Sequence, residues 1–243
     1  VSAHPIRIGT AAWAIPRQHA ESFPEGGSAL ERYARVLGAA EINTTFHRRH
    51  RVSTFERWRE SVPPDFRFAV KLPRAITHEG ALRDPSALLR DFFDDVRGLG
   101  ERLGPVLVQL PPKLEFDALK VATFFAAMRA LHSGPVVCEP RHASWLTPMA
   151  DALLSSFLIA RTAADPVRPP GVDLPGGARA LSYFRMHGSP RRYYSACGPE
   201  RLPRLVAQLR EAARRGPVWC IFDNTASGAA AADALLTQRL ING

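Results

Sequence analysis

The chain is short of cysteine, of acidic residues and of long apolar runs, and each shortage removes a class of protein. Three cysteines in 243 residues cannot all pair with one another and are too few for a disulfide framework. Cys138 and Cys220 fall in predicted strands and Cys197 in a loop, with no metal-ligand spacing among them. They read as reduced packing thiols, and the expected location is cytoplasmic. No apolar stretch approaches the roughly 18–20 residues needed to cross a bilayer, and the opening Val-Ser-Ala-His-Pro-Ile-Arg carries no signal pattern, so no membrane partner is expected. His-x-x-x-His pairs and Asp-rich loops are missing, and no Gly-rich phosphate turn follows the first predicted strand.

The shortage of acid leaves a formal charge of +9 and a pI of about 10.3. A pI above about 9 is one footprint of nucleic-acid binding, and such a field also draws in smaller anions. The basic residues are mostly arginine and are scattered, not gathered in one stripe, which is also what compositional bias produces.

What is present is a set of apolar runs that end on polar groups. They are Ala40-Glu41-Ile42-Asn43, Phe68-Ala69-Val70-Lys71, Val106-Leu107-Val108-Gln109, Val136-Val137-Cys138-Glu139, Tyr183-Phe184-Arg185-Met186-His187 and Ile221-Phe222-Asp223-Asn224. Burying an unpaired neutral polar group costs roughly 2–7 kcal/mol, and an ion more. Six such endings on successive strands suggest that they converge on one polar pocket.

Strand and helix patterns alternate along the whole chain. Strands are predicted at 6–10, 39–44, 67–72, 105–110, 135–139, 157–162, 181–187 and 217–222. Helices are predicted at 28–37, 53–58, 86–103, 117–131, 146–155, 199–215 and 228–241, the first opened by a Ser28/Glu31 capping box. Residues 163–180, rich in Pro and Gly, read as loop where a helix would be expected. Crossovers of this length require parallel strands, and eight such units fit one α/β domain over residues 1–243, a TIM (β/α)₈ barrel with a degenerate sixth helix.

Barrel enzymes place their chemistry at the C-terminal ends of the strands. With the strand faces in phase, Glu41, Asn43, Lys71, Gln109, Glu139, Arg185, His187 and Asn224 rim that mouth, with Asp165 just after the sixth strand. Glu41 and Glu139 are the acid–base candidates, because paired carboxylates can be driven apart in pKa. His187, followed by Gly188 where the chain can turn tightly, is the proton-carrier candidate. Lys71, Arg74, Arg141 and Arg185 bring positive charge suited to a phosphate or carboxylate. His78 lies on a loop able to fold over the mouth. Trp13, Phe46, Trp145, Tyr193 and Tyr194 are aromatics available for stacking on a sugar or base. Glu41, Glu139, Asp165, His78 and His187 also offer oxygen and imidazole donors to a divalent metal.

At these same residues the chain resembles the YecE-like family, domain of unknown function 72. The resemblance is carried by Gly9-Thr10 with Trp13, Glu41-Ile42-Asn43-Thr44-Thr45-Phe46, Phe68-Ala69-Val70-Lys71 with Thr77-His78, and Gln109-Leu110-Pro111-Pro112. It continues through Glu139-Pro140-Arg141-His142 with Trp145, Arg185-Met186-His187-Gly188 and Asp223-Asn224-Thr225. It implies a TIM barrel and supplies no activity, the family being uncharacterised, with a suggested likeness to metal-dependent barrel endonucleases acting on abasic DNA. The chain departs from the family pattern at Ala11-Ala12, at Ala14-Ile15-Pro16-Arg17 and at His47-Arg48-Arg49-His50.

The expectation is an enzyme with a cationic polar pocket, acting by acid–base chemistry on a small phosphorylated or carboxylated substrate. Glu41, Lys71, Glu139, Arg185 and His187 would carry the reaction. Asn43, His78, Gln109, Arg141, Trp145, Asp165 and Asn224 would contact the substrate. The alternatives are a metal-assisted phosphodiesterase acting on nucleic acid and a non-catalytic binder of an anionic ligand or nucleic acid. Nothing in the pattern specifies an oligomeric state.

Overall fold

The near-continuous apolar character of the strands is what a parallel sheet covered on both faces requires. The computed structural model describes residues 4–166, 174–198 and 200–243. Residues 1–3 of the opening segment, 167–173 of the Pro/Gly-rich stretch and Pro199, at the predicted start of a helix, lie outside the described residues.

The central ring runs through β1 (Ile6–Ala11), β2 (Ala39–Ile42), β3 (Arg67–Lys71), β4 (Leu103–Gln109), β5 (Val136–Glu139) and β6 (Ile159–Arg161), all parallel. After a single residue, Thr162, the chain continues as β7 (Ala163–Asp165). A two-residue strand β8 (Gly176–Gly177) pairs antiparallel with β6. The ring then passes through β9 (Ser182–Met186) and β10 (Val218–Phe222) back to β1. Because β7 pairs in parallel with β9, the sixth unit reaches β5 through its first half and β9 through its second. The architecture is a nearly closed TIM-like barrel.

Helices α1 (Ala29–Ala34), α2 (Val52–Glu60), α3 (Ser86–Val96), α4 (Ala118–Leu131), α5 (Pro148–Ser156), α6 (Leu202–Ala213) and α7 (Ala229–Asn242) lie between the strands. The capping box forms as expected: Ser28 N–H donates to Glu31 Oε2 at 2.6 Å and Glu31 N–H donates to Ser28 Oγ at 3.3 Å. Most boundaries shift by one to three residues, and two departures from the sequence pattern matter for the barrel. The helix expected to reach 103 ends at Val96, and a short turn with Gly100 at φ 51° leads into β4. The sixth strand is displaced forward, so 163–165, expected as loop, is strand. The crossover that follows contains no helix among its described residues.

Strand alternation divides the core in two. Ala39, Ala69, Leu107, Val137, Ala160, Leu181, Tyr183, Trp219 and Ile221 fill the barrel interior. Phe68, Val70, Val106, Val108, Phe184, Met186 and Phe222 face the helices in the larger outer cluster. Inside, small side chains on β2, β3 and β6 leave room for two large rings. Tyr183 and Trp219, register partners, stack with centroids 5.9 Å apart. Gly104 makes this fit, since a Cβ there would lie 2.7 Å from the Trp219 ring. This layer is the floor of the mouth.

Candidate functional site

Residues two apart share a strand face, so the interior phase fixes what rises above that floor. Glu41 follows Ala39, Lys71 follows Ala69, Gln109 follows Leu107 and Glu139 follows Val137. Arg185 and His187 follow Tyr183, and Asp223 follows Ile221.

Arg185 occupies the centre and is fully buried. Its Nε donates to Glu41 Oε2 at 3.1 Å, its Nη2 to Glu41 Oε1 at 2.6 Å and to Asp223 Oδ2 at 3.0 Å, and its Nη1 to Glu139 Oε2 at 2.6 Å. Tyr183 O–H donates to Glu41 Oε2 at 2.8 Å from below. His187 bridges the two upper acids, with Nδ1 3.0 Å from Asp223 Oδ2 and Nε2 3.2 Å from Glu139 Oε1. Arg141 Nε donates to Glu139 Oε1 at 3.0 Å, and its Nη1 donates to Tyr193 Oη at 3.1 Å. Gly188 lets the chain leave this cluster: its φ is +81°, and a side chain there would collide with the carbonyl of Ser195.

The electrostatics follow from this arrangement. Burial pushes the Glu139 carboxyl up, but Arg185 and Arg141 outweigh it and hold the group well below the usual range. Asp223 is lowered in the same way, with Arg185 overcoming burial and the His187 contact adding to it. Burial opposes the charge of Arg185, yet the three carboxylates raise it well above its ordinary value. Burial and the neighbouring Glu41 raise the Tyr183 phenol well above its own.

Lys71 is different. Its amine lies 3.8 Å from the centroid of Phe46 and, among the described residues, no carboxylate is within ion-pair distance of it. Burial lowers it to about 8, aided by Arg185 and opposed by Glu41, Glu139 and Asp223. His78 stands beside it on the turn Ala75–Glu79, its ring 4.9 Å from Phe46 and its Nδ1 2.8 Å from Thr77 Oγ1. Burial, Lys71, Arg74 and Arg141 all lower His78. Asn43 and Gln109 are half-buried at the ends of β2 and β4, and Asn43 Oδ1 is buried without a hydrogen-bond partner among the described residues.

Three residues expected at the mouth are turned away. Asp165 pairs in register with Met186 on the outer face, one step out of phase with Ala164 and Arg185. It accepts from Arg201 Nη2 at 2.5 Å, in a groove of about 390 Å³ lined also by Phe184, Met186 and Leu205. Asn224 follows the outward Phe222, and its Nδ2 donates to Asp233 Oδ2 at 2.7 Å and to the Ser195 carbonyl at 2.9 Å. Trp145 is wholly buried, donates from Nε1 to the Leu114 carbonyl at 2.9 Å and packs on Phe116. Of the other aromatics, Trp13 packs against Trp58 and Phe68, while Tyr194 stacks under Arg191. Asp223 and Tyr183 are the members that the sequence reading left out of the site. The alternation Trp219, Ile221, Asp223 was the available signal for the first.

The expected metal donors do not converge. Asp165 is outside with Arg201, His78 is turned to Thr77, and Glu41 and Glu139 close on Arg185. Among the described residues no group of three or more His, Cys, Asp or Glu side chains is arranged to hold a metal ion. The position between the carboxylates is filled by the Arg185 guanidinium, so these acids are already paired with a cation of the protein. All three cysteines are free and buried, and burial pushes each thiol up.

The sequence profile of the family described as "Protein of unknown function DUF72" matches residues 7–243. A 106-residue stretch is 36% identical to UPF0759 protein YecE of Escherichia coli K12, covering 44% of this chain and 38% of that relative. The same figures hold for UPF0759 protein YecE of Escherichia coli O157:H7. A solved DUF72 family protein from Enterococcus faecalis V583 superposes with a TM-score of 0.84 at 21% identity, over 98% of this chain and 96% of the other. One from Thermotoga maritima MSB8 superposes with a TM-score of 0.81 at 24% identity, over 99% and 100%. Both are likenesses of fold. No described helix is long and apolar enough to cross a membrane.

Proposed function

The chain belongs to the DUF72 family, and because that family names no reaction, we propose from the site itself an acid–base enzyme acting on a small phosphorylated or carboxylated substrate. The observation that carries this reading is Lys71, a largely buried cation at the mouth with no carboxylate partner among the described residues. Four of the five N–H groups of Arg185 are directed to acids of the protein and the side chain is fully buried, so we assign that residue to holding the floor together. Arg141 and His78 hold the anionic group of the substrate, and Lys71 beside them adds positive charge while it is protonated. Glu139 and His187, joined at 3.2 Å, move the proton, and Asp223 orients the imidazole. Glu41 and Tyr183 fix Arg185 from below, while Asn43 and Gln109 offer uncharged groups for orientation.

The test is a thermal-shift and native-mass screen of phosphorylated and carboxylated metabolites, followed by turnover assays on those that bind. Stabilisation lost on Lys71→Ala and Arg141→Ala supports the site. If no member of either class binds, the reading fails; if ligands bind but none is turned over, the protein is a binder and not an enzyme.

A further inference from the structure

We propose that Lys71 is a covalent site, its amine forming an imine with the carbonyl carbon of a small aldehyde or ketone that carries a phosphate or carboxylate. This deepens the reading above and rests on it. Of 32 basic residues only three are lysine: Lys71, Lys113 and Lys120. Lys113 is exposed, and Lys120 lies 3.7 Å from Asp117 at the start of α4. A chain that uses arginine almost everywhere places lysine at a rim position where, among the described residues, the cation has no acid partner. For holding an anion alone arginine is the better fork, but its guanidinium does not give up its proton and cannot act as an amine nucleophile.

The surroundings favour the neutral amine. Arg185 from β9 faces Lys71 with like charge, and Arg74 and His78 stand on the turn after β3. Glu41, Glu139 and Asp223 from β2, β5 and β10 also face it, but Arg185 already holds all three. A desolvated lysine near another cation is the environment that activates amines toward carbonyls. Its amine is brought to about 8, so an appreciable fraction is neutral near physiological pH.

The step balances without an outside reagent. The neutral amine attacks the carbonyl carbon, forming the C–N bond while the C=O π pair moves to oxygen. The two hydrogens of the amine leave with that oxygen as water, and a C=N bond remains. Glu139 and His187 lie within the same cluster to relay the protons. The phosphate or carboxylate of the substrate is held by Arg141 and His78.

Pyridoxal 5′-phosphate and glyoxylate, each an aldehyde bearing an anion, serve as probes. The intact protein is treated with each at pH 8, reduced with borohydride, digested and mapped by mass. The expected result is reduced adduct on Lys71 exceeding that on Lys113 and Lys120 by at least about tenfold, since an ordinary lysine is almost wholly protonated at that pH. Inorganic phosphate in excess should suppress it. Lys71→Arg should lose the adduct while phosphate still raises its melting temperature. If Lys71 stays unlabelled in wild-type protein that phosphate does stabilise, the imine proposal is wrong and the anion site stands. If phosphate neither stabilises nor protects and no adduct forms, both are wrong.

Discussion

Arg185 and Glu41 meet as a fork on a carboxylate, Nε to Oε2 at 3.1 Å and Nη2 to Oε1 at 2.6 Å, with neither side chain reaching solvent. The same guanidinium also satisfies Glu139 and Asp223. Removing one partner of a buried ion pair typically costs about 3–5 kcal/mol, because the other charge is left stranded. Arg185→Met removes the cation shared by three buried carboxylates, of which only Glu139 keeps an arginine, so urea unfolding should show a loss of that order. A loss below about 1 kcal/mol would mean that the acids do not depend on Arg185.

Tyr183 anchors the cluster from the floor. Tyr183→Phe keeps the ring stacked on Trp219 and deletes only the O–H donated to Glu41 at 2.8 Å. A hydrogen bond to a charged group contributes about 1.5–3 kcal/mol, so a destabilisation of that size is expected with an unchanged denaturant slope. An unchanged midpoint would show that Glu41 is held by Arg185 alone.

Strand and helix alternation made the barrel legible, because a fully covered parallel sheet leaves runs such as Val106-Leu107-Val108 in the sequence. Phase was legible where a strand's apolar residues had opposite partners, as at Ala69 and Lys71. It failed at strand ends. Asn224 and Asp223 are adjacent polar residues, and only the inward Ile221 separates them. Asp165 was misplaced because the sixth strand continues past Thr162, reversing the expected loop. Trp145 lies between the predicted strand and helix, where no periodicity reports on burial, and its tertiary contacts with Leu114 and Phe116 show that it is core. The pairing of three acids with one arginine is tertiary and leaves no mark in spacing.

Trp145 gives a separating test between core and site. Trp145→Phe removes the Nε1–H donation to Leu114 and some buried volume. It should lower stability by about 1–3 kcal/mol. Phosphate affinity, measured by calorimetry where the variant is fully folded, should stay within about twofold. A large loss of affinity would return the indole to the site.

The acid limb of stability should belong to Glu139 and Asp223. Both carboxyls are lowered in the folded protein by Arg185 against the pull of burial. The unfolded chain therefore binds protons that the native state does not, and the stability from these groups, full above about pH 4–5, is lost as pH falls through their folded values. Glu139→Gln removes one such group, so between pH 5 and 2 its stability should fall less steeply, by about one proton taken up on unfolding. Parallel slopes for the two proteins would contradict the lowered carboxyl.

Lys71 acts in the same sense in an alkaline window. Its amine is lowered to about 8 in the folded protein, against about 10.4 for an unfolded chain. Below pH 8 both states carry the proton and the native state bears the cost of a buried charge. Between the two values the unfolded chain holds a proton that the native protein has released, so stability from this residue rises with pH across that window. Lys71→Met should abolish the rise. Anion binding runs the other way, because the released proton takes the charge with it. Affinity for phosphate should fall several-fold between pH 7 and 9 in the wild type, and Lys71→Arg, whose guanidinium stays charged, should flatten that fall. Equal pH profiles in the two proteins would place the anion away from Lys71.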